Sequence, residues 1–208
     1  MFEQPRTGAG TTEPSEAALR EQLIADLDTG FGSVVTCYER LVYTVALRMN
    51  GSPIEAEDLA AEALLRAYRA LRDYDPGRIA ELRLRPWLLA IVRNTVRNAG
   101  RAATRRPDPA PRSAFPEPVA PEPTADQWVM RDETQRRLGT LLATLPEVQR
   151  SAVVLRHVVG LPTSEVAEVL GCADGTAKSH VSRGLARLRT LLAEDITLAP
   201  ERSSHERS

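Results

Sequence analysis

The chain predicts an all-α fold made of two small helical domains joined by an extended acidic, Pro-rich linker. Three observations carry that expectation. Apolar residues recur every three to four positions along segments punctuated by Asn-Gly, Ser-Pro and Asp-Pro-Gly, which is helical spacing with helical stop signals. No strand alternation longer than a few residues occurs. Pro107, Pro109, Pro111, Pro116, Pro118, Pro121 and Pro123 exclude regular structure between the two helical stretches, and Asp108, Glu117, Glu122 and Asp126 there outnumber Arg112. The expected boundaries are a disordered tail over 1–15, a helical domain over 16–104, the linker over 105–125, a second helical domain over 126–195 and a flexible tail over 196–208.

Each helix has its own signature. Leu19, Leu23, Ile24 and Leu27 mark the first, over Glu16 to Leu27. The second runs from about Phe31 to Met49 and stops at Asn50-Gly51. Ser52-Pro53 opens the third, IEAEDLAAEALLRAYRALRDY, where the missing proline N–H costs nothing at a first helical position. It halts at Asp75-Pro76-Gly77, and a loop follows as far as Arg85. Pro86 begins a fourth helix, PWLLAIVRNTVRNAGR, with Leu88, Ile91, Val92, Thr95 and Val96 inward and Arg93, Asn94, Arg97 and Arg101 outward. Beyond the linker, Asp126 to Leu145 and Pro146 to Val159 read as two further helices.

The stretch from Leu161 to Leu192 reads as a helix-turn-helix. Val166, Ala167, Val169 and Leu170 give a short helix its apolar face, and Gly171 sits where a helix end needs a left-handed residue. Asp174 and Thr176 offer capping oxygens to a longer helix whose buried stripe is Val181, Leu185, Leu188 and Leu192. Lys178, Ser179, Ser182, Arg183 and Arg187 fall on its other face, the hydroxyls and cations that reading a DNA major groove requires.

Net charge is −1, yet the charge is polarised along the chain. From Glu13 to Glu62 ten acids stand against Arg20, Arg40 and Arg48, net −7; from Leu64 to Arg106 eleven arginines stand against Asp73, Asp75 and Glu81, net +8. Such polarity suggests an acidic surface for a protein partner beside a basic one for phosphates. Cys37 and Cys172, on separate helices, form no CxxC or Cys/His cluster, so neither a disulfide framework nor a zinc site is indicated, and a reducing cytoplasm fits. The N-terminal residues carry no signal-peptide core, and no apolar run is long enough to span a membrane.

Four blocks in order, AEDLAAEALLRAYRALRDYDPGR, RPWLLAIVRN, LPEVQRSAVVLRHVVGL and EVAEVLGCADGTAKSHVSRGLARLR, resemble the extracytoplasmic-function (ECF) sigma factors of the sigma-70 family. The first two resemble conserved region 2 and the last two the region 4 helix-turn-helix. The resemblance implies a cytoplasmic transcription initiation factor that joins core RNA polymerase, directs it to promoter DNA and helps open the duplex. It implies no catalysis, cofactor, metal, membrane or small-molecule substrate, and it leaves open an anti-sigma factor as a further partner. No Gly-rich phosphate loop or nucleophile constellation argues otherwise, and His157, His180 and His205 are too scattered to suggest ligands.

Three sites follow from the resemblance. For the minus thirty-five element the reading residues are Lys178, Ser179, His180, Ser182 and Arg183. His180 stands where the family usually has Arg, which weakens a phosphate contact there or makes it pH-dependent. Arg187 and Arg189 fit phosphate or solvent equally. For the minus ten element, captured largely as a single strand, the residues are Arg78, in the loop Tyr74 to Arg85, with Arg93, Asn94 and Arg97 beside it. Trp87 fits either a base-stacking or a core role. For polymerase, Asp58, Leu59, Glu62, Leu65 and Tyr68 match the helix that docks on the clamp, with Ala61 replacing a usual Gln; a merely solvated helical face is the other reading of Asp58 and Glu62. Two rival functions share parts of this pattern. One is a dimeric DNA-binding regulator, which would need a sensing or dimerising domain where EDLAAEALLRAYRAL stands. The other is a sigma-derived interaction protein that reads no promoter, which Lys178, Ser179 and Arg183 argue against.

Overall fold

A computed structural model describes residues 14–105 and 137–198, and all the regular structure in them is helical. The Pro-rich segment and the two tails, apart from the residues at their edges, lie outside the described residues, as does the first part of the helix expected from Asp126.

The N-terminal domain holds α1 (Glu16–Ala25), α2 (Leu27–Asn50), α3 (Pro53–Arg72), α4 (Pro76–Glu81) and α5 (Leu84–Arg105). Local capping chemistry sets these bounds. The Ser15 hydroxyl accepts from Ala18 N, the Asp26 carboxylate from Thr29 N, and Ser52 Oγ from Glu55 N. Asp26 closes α1 and opens α2 in a single residue, so α2 starts four residues earlier than its apolar periodicity suggests. The hydrogen bonds from Thr29 hold the Asp26 carboxyl below its ordinary pKa.

One expected loop is a helix. Asp75-Pro76-Gly77, which reads as a stop, is a start: Asp75 Oδ1 accepts from Arg78 N at 3.0 Å and Pro76 takes the first position of α4. The packing of α2, α3 and α5 forms the core. Ala56, Ala60, Ala63 and Ala67 make a buried face of small side chains on α3, and Val34, Val42, Val45, Leu84, Leu88, Leu89 and Val92 fill the space around it. Each fully buried Leu or Val contributes about 1.5–3 kcal/mol of transfer free energy.

In the C-terminal domain residues 137–143 are helical, followed by α6 (Glu147–Val153), α7 (Thr163–Leu170) and α8 (Asp174–Leu198). The helix expected from Pro146 to Val159 changes character midway. Over Val154–Val158 it widens into a π-helix, with Val159 N bonding Val154 O at 3.0 Å. Helix α8 extends to Leu198, past the expected start of the tail.

The two domains pack on one another. α5 lies against α7, α2 touches α6 and the π-turn, and the buried apolar residues of both form one cluster. Arg150 pins the seam from the C-terminal side, donating to Met49 O at 2.7 Å and to Ala143 O at 2.9 Å.

Candidate nucleic-acid interface

The helix-turn-helix forms as its sequence directs. α7 buries Val166, Ala167, Val169 and Leu170, and Gly171 closes it at φ 68°, the left-handed region that side chains other than glycine rarely adopt. Cys172 falls in the turn and not on a helix. The first amides of α8 bond to a backbone carbonyl: Thr176 N and Ala177 N both donate to Ala173 O.

Val181, Leu185 and Leu188 of the expected stripe pack against the core but are only partly buried, and the most buried line of α8 lies to one side of them. Ala177 and Gly184 are buried, Gly184 against α6, whereas Leu192, expected in the buried stripe, is 39% exposed. Gly184 is the physical reason. A Cβ there would stand 2.6 Å from Val153 Cγ2 and 3.3 Å from Gln149 O, so α8 approaches α6 more closely than any side chain would allow. The sequence reading missed this residue; a lone Gly in an otherwise strong helix was the available signal.

On the opposite side of α8, Lys178, Ser182 and Arg183 are exposed together. Ser179 is half-buried, its hydroxyl donating to Gly175 O at 2.8 Å. His180 lies at the edge of this face, half-buried, with Nδ1 shielded from solvent.

The arginines of the N-terminal domain sit differently. Arg78 is exposed and its guanidinium lies 3.6 Å above the Tyr74 ring. Trp87 is half-buried, its indole N–H donating to Tyr74 Oη at 3.3 Å. An open cleft of about 430 Å³ runs past Arg78, Leu82, Arg83, Trp87 and Ala90 to Glu168 of the other domain. Arg93, expected outward, is buried at 8% exposure. It is outward from its own helix bundle, but the C-terminal domain covers it: Nη1 donates to Leu170 O at 3.5 Å and Nη2 lies 3.8 Å from Glu147 Oε1. Burial pulls its pKa below the ordinary arginine value, against the pull of Glu147. Asn94 and Arg97 beside it are half-buried.

On α3 the five expected polymerase residues do not share one face. At 100° per residue, Asp58, Glu62 and Leu65 lie directly opposite the buried alanine face, while Leu59 and Tyr68 flank that face on either side. Asp58 is open and Leu65 is 42% exposed, whereas Glu62, Leu59 and Tyr68 are half-buried. Glu62 pairs with Arg66 at 2.7 Å. Tyr68 is tied to α2, its hydroxyl donating to Asp28 and its ring edge-on to Phe31 at 5.2 Å. The hydrogen bond to Asp28 raises its pKa above the ordinary tyrosine value.

Comparison with known proteins places this geometry in a family. Residues 34–106 match Sigma-70 region 2, and residues 135–188 match Sigma-70, region 4. The RNA polymerase sigma-E factor of Streptomyces coelicolor is 36% identical over 167 residues, 78% of this chain and 86% of that protein. The chain belongs to the ECF subfamily of the sigma-70 family. The ECF RNA polymerase sigma factor SigE of Mycolicibacterium smegmatis is 31% identical over 153 residues, 74% of this chain. The chain spans 58% of that relative, and 42% of the probable RNA polymerase sigma factor RfaY of Xanthomonas campestris pv. campestris. Among solved structures, CnrH in complex with the cytosolic domain of CnrY shares the fold at TM-score 0.64 and 23% identity, covering 86% of this chain and 98% of that one. The sigma factor RpoE of Bartonella quintana, in complex with the anti-sigma factor NepR, shares it at TM-score 0.59 and 24% identity, covering 78% and 96%. Among the described residues no helix is long and apolar enough to cross a membrane, and no group of three His, Cys, Asp or Glu side chains could hold a metal ion.

Proposed function

We propose that this ECF family member is a non-catalytic initiation factor of the cytoplasm that joins core RNA polymerase and directs it to specific promoters. The observation that supports this reading best is the coexistence in one chain of a region 2 match and a region 4 match whose α8 exposes Lys178, Ser182 and Arg183 on one face. Helix α8 would lie in the major groove of the minus thirty-five element, with Lys178 and Arg183 contacting base edges or phosphates and Ser182 a base edge. Ser179 and His180, half-buried, would contribute less.

The outward face of α3, Asp58, Glu62 and Leu65, would dock on polymerase, with Leu59 and Tyr68 shaping its margins. Arg78, Arg93, Asn94 and Arg97 would meet the minus ten strand and favour melting by holding the displaced strand with cations and the Tyr74–Trp87 ring pair. The domain limits in this reading are 16–104 and 126–195, with 105–125 as tether.

Transcription with purified core polymerase on a genomic promoter library tests the proposal. The expected result is initiation at a discrete set of promoters that depends on this chain. Duplex binding by the chain alone, with no effect on polymerase, would instead favour a free-standing regulator.

A further inference from the structure

Helix α1 holds the turn between α4 and α5 from both of its ends. Glu16 Oε1 accepts from the Arg85 amide at 3.0 Å and from the Tyr38 hydroxyl at 3.4 Å. Arg20, one turn further along α1 and 3.7 Å from Glu16 Oε2, donates through Nη1 to Leu82 O at 3.2 Å. One ion pair on α1 thus grips the carbonyl that ends α4 and an amide that starts α5.

The start of α5 has no cap of its own. Arg83, the residue before it, offers no side-chain oxygen to a first-turn amide, and Pro86 within the turn has no amide to give. The Arg85 amide therefore takes its acceptor from outside the helix, as a carboxylate, the charge that a helix N-terminus favours. α1 is itself fixed: Leu19 and Leu23 are buried, and a Cβ on Gly30 would stand 2.5 Å from Leu23 N, so the backbones of α1 and α2 touch. The turn carries one wall of the open cleft, where Leu82, Arg83, Pro86 and Trp87 stand with Arg78. Trp87 N bonds back to Arg83 O at 3.1 Å, so the place of the indole follows from the place where α5 starts.

We propose that Glu16 and Arg20 are positioning residues for strand capture: α1 braces the turn and so fixes α4, which carries Arg78, against α5, which carries Trp87. An unstacked base and its phosphate then meet a ring and a guanidinium already in place. Neither Glu16 nor Arg20 touches DNA. Both lie ahead of the region 2 match, which begins at residue 34. The brace stands on the hydrogen bonds; its part in melting rests on the minus ten reading above.

The test uses the full-length chain assembled with core polymerase on a promoter recovered from the library above. Open complexes are read by permanganate reactivity of melted thymines, and the turn by Trp87 emission in a W128F background that removes the second tryptophan. Glu16→Ala is expected to lower permanganate reactivity about ten-fold, the equivalent of a lost helix cap, and to shift Trp87 emission, with assembly on core polymerase unchanged. Arg20→Ala should act in the same direction and more weakly. Glu16→Gln keeps an acceptor oxygen for the Arg85 amide and should stay within about three-fold of wild type. Val45→Ala, buried two turns along α2 from Tyr38, is the control for lost stability. Melting by E16A no weaker than by V45A would overturn the proposal, as would equal losses in E16Q and E16A, or a loss of polymerase binding that matches the loss of melting. Failure of the minus ten reading is distinguishable: R78A would then melt the promoter as well as wild type, while E16A still shifts Trp87 emission.

Discussion

Arg183 and Arg93 are both arginines that helical periodicity turns away from the core of their own domain, and they end in opposite surroundings. Arg183 is exposed on α8, whereas Arg93 is buried beneath α7 with Glu147 and the Leu170 carbonyl as partners. The difference teaches that a 3.6-residue period orients a side chain within its own bundle and says nothing about a second domain that can cover it. A cation left open and a cation covered by another domain look alike along the chain.

The comparison can be broken in four ways. The largest effect is expected from reversing charge on the open face of α3. Asp58→Lys with Glu62→Lys sets like charges against a partner chosen for acidic docking, which costs several kcal/mol where charge pairing fixes an interface. Competition for core polymerase should show affinity falling by more than a hundred-fold with the helical fold intact; unchanged affinity removes α3 from the interface.

Next comes the reading face. Lys178→Ala and Arg183→Ala should each lower promoter use by about 1–3 kcal/mol, the worth of a good base contact, while polymerase binding is kept. Run-off transcription on a promoter that needs its upstream element measures this, and wild-type rates from both variants would reassign α8.

A third variant acts behind that face. Gly184→Ala places a methyl group against Val153 and the Gln149 carbonyl, so the C-terminal domain should lose about 1–3 kcal/mol by overpacking, read as a lower urea midpoint. A gain in stability would mean that α6 and α8 have room to part.

The smallest effect at neutral pH, and a distinct one in alkali, involves Tyr38. Burial, reinforced by Glu16, pushes its phenol above the ordinary tyrosine value. The folded chain therefore favours the protonated phenol, and that contribution is intact below pH about 10 and lost as pH rises beyond it. Urea midpoints should fall with rising alkalinity less steeply in Y38F than in the wild type; identical slopes would detach Tyr38 from alkaline unfolding.

The helix inventory was legible because caps and breakers act locally. Gly171 and Ser52-Pro53 did in the structure what their chemistry dictates. Asp75-Pro76-Gly77 misled because the same residues serve to stop one helix and to start the next, and only the Arg78 amide bonding back to Asp75 decides between them. The exposed Lys178, Ser182 and Arg183 were legible from spacing, whereas the most buried line of α8 was hidden in a contact between Gly184 and a residue 31 positions earlier, Val153. Arg83 and Arg85 at the seam gave no local signal, since their partners Glu165, Glu168 and Val159 lie across the Pro-rich segment. Long-range closure of that kind leaves no period to read.

Cross-linking in a polymerase–promoter complex tests the account most directly. A photoreactive side chain at Ser182 and, separately, one at Asn94 should both label DNA, the first upstream duplex and the second the melted strand, in the same open complex. That pair of adducts places both domains on the DNA at once. Labelling from Ser182 alone, with Asn94 cross-linking only to the C-terminal domain, would contradict the account.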